Sequence, residues 1–231
     1  MKIKKVKYPT DLCKIDKYKD NIISLFGISK SFSLAGIRVG FALGNKYIIQ
    51  DMRDNLFLQM DSVSIISQLA LISVFNNNKK RVKYRNKYLD ELKVKYLENL
   101  DIIKYFICGS NYVSKKSKKR IEKRLTKEEI ELYKNGIELV SIYKNLIPES
   151  GFFILLDFTK MKGKRINDKK INNDIDLVIE LYKKEKIKFL PGSSFGLNDE
   201  EQIIGRITFS KPWDILFDDM KTLAKILINI K

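Results

Sequence analysis

The residue best suited to chemistry in this sequence is Lys30, which lies in the stretch GISKSFSLAGIRVG from Gly27 to Gly40. A lysine amine is a nucleophile only when it is unprotonated, and burial or a neighbouring cation lowers the pKa of such an amine. The apolar run NIISLFGIS at 21–29 leads directly into Lys30 and predicts a short buried strand that ends there. We therefore interpret Lys30 as a candidate for covalent bonding to a carbonyl group.

The absence of histidine excludes several common kinds of active site. Ser-His-Asp and Cys-His catalysis need an imidazole, and so do the usual zinc sites. The two cysteines, Cys13 and Cys108, have no spacing typical of metal ligands and imply no disulfide framework. We therefore predict no metal site, and we expect a cofactor or carboxylates to carry any reaction in a reducing, cytoplasmic compartment.

The stretch around Lys30 resembles the cofactor-lysine motif of the class I/II aminotransferases, which are fold type I enzymes that use pyridoxal 5'-phosphate (PLP). The family's pattern is S-x-S-K, then a hydrophobic step and G-x-R-x-G. This chain matches the pattern at Ser29, Lys30, Gly36, Arg38 and Gly40. The resemblance implies that Lys30 holds PLP as a Schiff base and also acts as the general base of the reaction.

The same resemblance assigns the phosphate of PLP to Ser29 and Arg38. A hydroxyl and a planar guanidinium can both donate hydrogen bonds to one phosphate dianion. One position departs from the family, because the serine expected three residues before the lysine is Gly27 here. One side-chain contact to the phosphate is therefore missing, and a backbone N–H could take its place.

Three further motifs follow in the order of the same family. PESGFF at 148–153 resembles the entry to the family's small C-terminal domain, and PGSSFG at 191–196 resembles its P-G-x-x-F-G turn. GRITFS at 205–210 resembles the strand whose arginine binds the α-carboxylate of the substrate. The resemblance therefore implies that Arg206 binds the substrate and fixes which bond at Cα stands perpendicular to the cofactor ring.

The implied reaction is the transfer of an amino group between an amino acid and a 2-oxoacid. The same architecture also supports decarboxylation and elimination, so an amino-acid decarboxylase or a lyase stays open as an alternative. The resemblance further implies a homodimer, with residues 45–67 facing its interface. The sequence does not identify the side chain of the substrate amino acid.

Short strands and helices must position these residues. Before the middle of the chain we predict strands at 21–29 and 38–43 and helices at 45–57, 64–75 and 79–100. After it we predict strands at 152–158, 187–190 and 205–209 and helices at 175–185 and 212–229.

These elements predict an α/β fold that comprises the C-terminal part of the aminotransferase large domain and a small domain. We expect a partial large PLP-binding domain at 1–105, with a mixed sheet flanked by helices, some of which form an interface. A basic insertion and connection should occupy 106–147, and an α+β small domain should occupy 148–231.

The net charge of +17 favours polyanionic partners. Residues 108–135, which include the run KKSKKRIEKR at 115–124, have little apolar periodicity and predict a surface insertion that is the least ordered part of the chain. A nucleic-acid-binding protein that uses this run together with Tyr112 and Tyr133 is the alternative from another class. We prefer a lysine-rich, solvated surface.

The resemblance covers nearly all of this chain but only about the C-terminal half of a family member. The preceding part of the family supplies an aspartate for the pyridinium nitrogen, an asparagine and a tyrosine for O3′, and an aromatic residue that stacks on the ring. Only 29 residues precede Lys30, and Asp11, Asp16 and Asp20 have no matching context. We therefore expect a truncated gene product or inactive fragment, a split enzyme whose N-terminal half is a separate chain, or a start site assigned too late. Apolar surface should remain for a partner to cover.

Overall fold

The computed structural model describes residues 19–197 and 201–230, and the chain divides into two compact units between Leu89 and Asp90. Cys13, Asp11 and Asp16 lie outside the described residues. Within the described ranges, no helix has both the length and the apolar character that crossing a membrane requires.

Two short antiparallel strands, β1 (Ser24–Gly27) and β2 (Gly40–Leu43), form a hairpin in the first unit. The loop between them begins with a single helical turn, α1 (Ile28–Ser31). The strands predicted at 21–29 and 38–43 are confirmed in place, but both are shorter than predicted. The chain adopts helical geometry directly after β1, so the apolar residues that follow the strand belong to the loop.

The helices predicted after the hairpin are confirmed as α2 (Lys46–Met60), α3 (Ile65–Phe75) and α4 (Lys79–Cys108). Asn45 caps α2, because its side-chain oxygen accepts a hydrogen bond from the N–H of Tyr47 at 2.9 Å. No residue of α2 or α3 is buried. The division between the two units falls within α4.

The second unit contains four further helices in its described part. They are α5 (Lys115–Glu122), α6 (Lys127–Tyr133), α7 (Asp174–Glu185) and α8 (Trp213–Ile228). The strands are β3 (Ser141–Ile142), β4 (Phe153–Asp157), β5 (Arg165–Ile166), β6 (Lys169–Lys170), β7 (Leu190–Pro191) and β8 (Ile204–Thr208).

An antiparallel sheet with the strand order β3-β4-β8-β7 lies at the centre of the second unit. β4 and β8 pair along their whole length, and Leu155 lies opposite Arg206. β5 and β6 form a separate small hairpin. The helices and strands of the two units therefore confirm the predicted α/β class.

The main hydrophobic core lies in the second unit and explains why α4 extends to Cys108, two turns beyond its predicted end. Phe106 of α4 is fully buried. Its ring centroid lies 5.0 Å from that of Tyr133 in α6 and 5.8 Å from that of Phe217 in α8. Aromatic contacts of this kind add to the stability that burial provides.

The prediction that residues 108–135 are the least ordered part of the chain was wrong, because this segment contains α5 and α6. Each of the two short helices directs one large side chain into the core, and both Ile121 and Tyr133 are fully buried. A helix of seven or eight residues needs only one or two such anchors. Such a helix is too short to show a regular spacing of apolar residues, so the sequence pattern does not reveal it.

Candidate functional site

Lys30 lies in α1, where the chain turns from β1 into the loop. Ile28 anchors this turn, because its side chain is only 1% exposed and its carbonyl accepts a hydrogen bond from the N–H of Phe32 at 3.2 Å. Ser29 is half-buried, whereas Lys30 is exposed. The strand predicted before Lys30 is present, but the prediction that it is buried was wrong. The residues of β1 alternate between half-buried and exposed.

Arg38 lies at the other end of the loop and has a left-handed backbone conformation, with φ 55° and ψ 45°. Residues other than glycine seldom adopt this region, and such strained positions concentrate at functional sites. The carbonyl of Ala35 accepts hydrogen bonds from Nη1 of Arg38 at 3.1 Å and from its backbone N–H at 3.4 Å. A guanidinium has five N–H donors, so this single side-chain bond is compatible with bidentate binding of an anion.

Two residues that the sequence motif does not include also contact this loop. The hydroxyl of Ser67 in α3 donates a hydrogen bond to the carbonyl of Ile37 at 2.6 Å. The hydroxyl of Tyr88 in α4 donates to the carbonyl of Phe32 at 2.8 Å. No sequence signal indicates either contact, because the partners are 30 and 56 residues apart along the chain.

The glycines of the motif differ in what their surroundings require. A Cβ on Gly40 would lie 2.6 Å from the carbonyl oxygen of Phe26, so close pairing of β1 with β2 requires glycine there. A Cβ on Gly27 or Gly36 would meet nothing within 4 Å. Gly27 also has extended backbone, with φ −125°. The serine of the family pattern would therefore fit at position 27.

Arg206 lies in β8, a central strand of the sheet in the second unit, and is half-buried. Its guanidinium carbon lies 4.5 Å from the ring centroid of Phe153 and 5.3 Å from that of Phe195. Stacking on aromatic rings holds a planar guanidinium in a fixed orientation. Arg206 also lines a cavity of about 320 Å³, together with Phe153, Lys186 and Lys211.

A buried carboxylate orders the turn that carries Phe195. Asp174, the first residue of α7, is 7% exposed. It accepts hydrogen bonds from the backbone N–H of Ser193 at 2.7 Å and from the Ser193 hydroxyl at 3.2 Å. Asp174 therefore fixes the PGSSFG turn. This turn carries Phe195, whose ring contacts the guanidinium of Arg206. The sequence gives no sign of this contact, because an acidic residue at the start of a helix is usual.

The structure does not favour the nucleic-acid alternative for the basic run. Lys116 and Arg120 both bind the carboxylate of Glu98, at 2.7 and 2.8 Å. Arg124 binds Asp214 at 2.6 Å. Tyr133, one of the two aromatic side chains that this alternative needs at the surface, is fully buried. These ion pairs therefore join α5 to α4, and the residues directly after α5 to α8, within the second unit.

The predicted site residues lie in two parts of the chain. Ser29, Lys30 and Arg38 occupy one loop of the first unit, and Arg206 lies in the second unit. The remaining aspartate that the sequence offered in the described region, Asp20, accepts a hydrogen bond from the side chain of Asn45 at 3.3 Å.

The fold of the chain is similar to that of aminotransferases of known structure. The aspartate aminotransferase from Rhizobium meliloti superposes with a TM-score of 0.64 at 19% identity, over 92% of this chain and 43% of that chain. The aromatic aminotransferase from Pyrococcus horikoshii gives 0.58 at 16% identity, over 94% and 46%.

The sequence pattern of the family described as Aminotransferase class I and II matches residues 4–214. The chain therefore belongs to the class I and II aminotransferase family.

Curated relatives include a probable aspartate/prephenate aminotransferase of Rickettsia bellii, which is 26% identical over 183 residues. That match covers 78% of this chain and 36% of the relative. A histidinol-phosphate aminotransferase of Caldanaerobacter subterraneus is 34% identical over 101 residues, which cover 43% of this chain and 28% of the relative. The chain thus spans between 28% and 36% of the length of these two curated relatives.

Proposed function

We propose that this chain forms the C-terminal part of a PLP-dependent aminotransferase that moves an amino group between an amino acid and a 2-oxoacid. The observation that carries the proposal is the loop between β1 and β2. A lysine begins this loop, and an arginine in a strained left-handed conformation ends it. Membership of the aminotransferase family supports the same reading.

The donors of the loop fit PLP. The amine of Lys30 can bond covalently to an aldehyde, and the Ser29 hydroxyl and the Arg38 guanidinium can donate hydrogen bonds to a phosphate dianion. All three residues lie within ten positions of one loop in the first unit. When it is bound, PLP supplies the electron sink that stabilises negative charge at the substrate Cα.

Lys30 has two roles in this proposal, because its amine first tethers the cofactor and then moves a proton. When it is not bonded to the cofactor, Nζ of Lys30 would be a base that can accept the proton of the substrate Cα. The exposure of Lys30 leaves its amine accessible to a substrate.

Arg206 is proposed to bind the α-carboxylate of the substrate. Amino acids and 2-oxoacids both carry this group, so one arginine serves both halves of the reaction. A bidentate contact from a guanidinium restricts rotation about the bond to Cα and so selects the bond that reacts. The rings of Phe153 and Phe195 support this role, because they hold the guanidinium plane.

We also propose that another polypeptide surface covers α2 and α3. Neither helix contains a buried residue, and α3 consists mainly of aliphatic side chains. Leu58 is 83% exposed, Ile66 is 76% exposed and Ile72 is 63% exposed. Contiguous apolar surface of this kind marks an interaction site. A second copy of this chain, as in a homodimer, or a separate chain with the rest of the family's length would cover it.

Absorption spectroscopy tests the assignment of Lys30. The full chain is titrated with PLP and the visible spectrum is recorded. We expect the wild type and a Lys46→Ala control, which removes another exposed lysine of the first unit, to develop the same new band. The Lys30→Ala variant should not develop it. A wild type without the band, or a Lys30→Ala variant that retains it, would refute the assignment.

A further inference from the structure

We propose that Ser67 and Tyr88 are positioning residues that hold the two ends of the loop between Lys30 and Arg38. This inference rests on the proposed function, because it assigns Ser67 to the phosphate end of the loop and Tyr88 to the amine end. Neither residue belongs to the lysine motif, and neither is expected to touch the cofactor. Both act through backbone carbonyls of the loop.

Ser67 holds the end of the loop that carries Arg38. Its hydroxyl lies 2.6 Å from the carbonyl oxygen of Ile37, the residue directly before Arg38. The contact is partly buried and joins α3 to the loop across 30 residues of sequence. The peptide group that follows Ile37 leads directly into Arg38, so fixing this carbonyl limits the positions that the guanidinium can reach.

Tyr88 holds the end of the loop that carries Lys30. Its hydroxyl lies 2.8 Å from the carbonyl oxygen of Phe32, two residues after Lys30. The N–H of Phe32 donates to Ile28 and closes the helical turn that contains the lysine. Tyr88 is 42% exposed, so water can replace its hydrogen bond more easily than it can replace that of Ser67.

The two donors are held in place by packing within the first unit. The ring of Phe75 in α3 lies edge-on to those of Phe32 and Phe41, at centroid distances of 5.9 and 5.4 Å. Nη1 of Arg85 in α4 donates a hydrogen bond to the carbonyl of Val74 in α3 at 3.0 Å. The end of α3 and the start of α4 therefore form one support for the loop.

The different roles of Ser67 and Tyr88 should affect the binding of PLP and pyridoxal differently, which general destabilisation of the chain would not do. Binding of a phosphate by a guanidinium fork depends on its placement to within a fraction of an ångström. Loss of the Ser67 contact should therefore weaken binding of PLP but not of pyridoxal, which lacks the phosphate. Loss of the Tyr88 contact should weaken both ligands to a similar extent, because both bond to the lysine.

The test compares Ser67→Ala and Tyr88→Phe with matched controls on the same helices, Ser73→Ala and Tyr84→Phe, both of which alter exposed residues. Dissociation constants for PLP and pyridoxal come from absorbance titrations of the full chain. For Ser67→Ala we expect the PLP constant to rise about threefold to tenfold and the pyridoxal constant less than about twofold. For Tyr88→Phe both should rise about twofold to threefold.

Hydrogen exchange in the cofactor-free chain gives a second, independent readout. The amides of residues 31–38 should exchange about threefold to tenfold faster in Ser67→Ala than in wild type, because one tether of the loop is lost. The Ser73→Ala control should leave these amides unchanged.

The outcomes separate this inference from the proposed function. If wild-type protein takes up no PLP at Lys30, the proposed function fails and the positioning roles fail with it. If the wild type takes up PLP but Ser67→Ala loses affinity for PLP and pyridoxal equally, or loses none, only the positioning roles are overturned. The same holds if loop exchange in Ser67→Ala matches the wild-type rate.

Discussion

Arg38 combines a costly backbone conformation with a side chain suited to anions. A left-handed conformation at a residue other than glycine costs on the order of 1–3 kcal/mol, and the surrounding structure must compensate for it. Here the two hydrogen bonds to Ala35 and the tether at Ile37 contribute that compensation. If position 38 served only to turn the chain, glycine would do so without this strain. The proposed contact with a phosphate would explain why arginine stands here.

Replacement of Arg38 by lysine tests this explanation at the level of one residue. Lysine keeps the positive charge but cannot make a bidentate contact, so we expect the dissociation constant for PLP to rise about tenfold. Absorbance titration measures the change, and the midpoint of urea unfolding should stay within error of wild type. The matched control is Arg53→Lys, at an exposed arginine of the same unit. Equal affinity of Arg38→Lys and wild type would show that Arg38 does not bind the phosphate.

Sequence reasoning reached some residues of the candidate site and not others for a physical reason. Lys30 and Arg38 could be recognised because one short loop fixes their spacing. Ser67 and Tyr88 could not, because their contacts depend on how α3 and α4 pack on that loop. The left-handed conformation of Arg38 could not be predicted either, because the residue types next to it in the sequence do not indicate a positive φ.

At the scale of elements, α6 shows how a short helix is held in the second unit. Thr126 and Glu129 form a capping box, in which each side chain accepts a hydrogen bond from the backbone N–H of the other. Nζ of Lys221 in α8 lies 2.9 Å from Oε2 of Glu129. Burial raises the pKa of Glu129, but the hydrogen bonds from Lys221 and Thr126 outweigh it and hold that pKa below its ordinary value.

This lowered pKa predicts how stability depends on acid. A carboxylate with a lowered pKa in the folded state stabilises the protein above the ordinary glutamate pKa of about 4.3, and the benefit is lost as pH falls through the folded value. The free energy of unfolding, measured with urea, should therefore fall more steeply below about pH 5 in wild type than in Glu129→Gln. Glu131→Gln, which alters an exposed glutamate one turn away from Thr126, is the control. The same pH dependence in wild type and Glu129→Gln would contradict the role of this carboxylate.

The elements themselves were predicted to different degrees. Long segments with regular apolar spacing, such as α7 and α8, were found close to their predicted bounds. The two-residue strands β5 and β6 were not predicted, because two residues cannot display a period. α5 was missed because a single buried apolar residue, Ile121, anchors a helix that is otherwise rich in lysine.

At the scale of the whole molecule, burial is distributed unevenly between the two units. The cluster of buried hydrophobic residues begins at Leu100 and continues to Leu227, all within the second unit. In the first unit, α2 and α3 have no buried residue among the described side chains. A unit with so little buried apolar surface gains little stability by itself, which supports the proposal that another polypeptide surface covers it.

Hydrogen exchange tests this distribution directly. In dilute solution the amides of α3 should exchange at least on the order of tenfold faster than those of α8, because local stability follows buried contacts. Because α3 and α8 belong to the same chain, both are measured at the same pH, temperature and protein concentration. Protection of α3 that rises with protein concentration would identify a second copy of the chain as the covering surface. Strong protection of α3 at the lowest concentration would contradict the proposal that this surface awaits a partner.

Peptide mapping after reduction tests whether Lys30 forms the proposed covalent bond to the cofactor. The full chain is mixed with one equivalent of PLP, reduced with borohydride, digested, and analysed by mass spectrometry. We expect the phosphopyridoxyl group on the peptide that contains Lys30, and we expect Arg38→Lys to lower the yield without moving the label. Label spread over many of the chain's lysines, with no preference for Lys30, would contradict it.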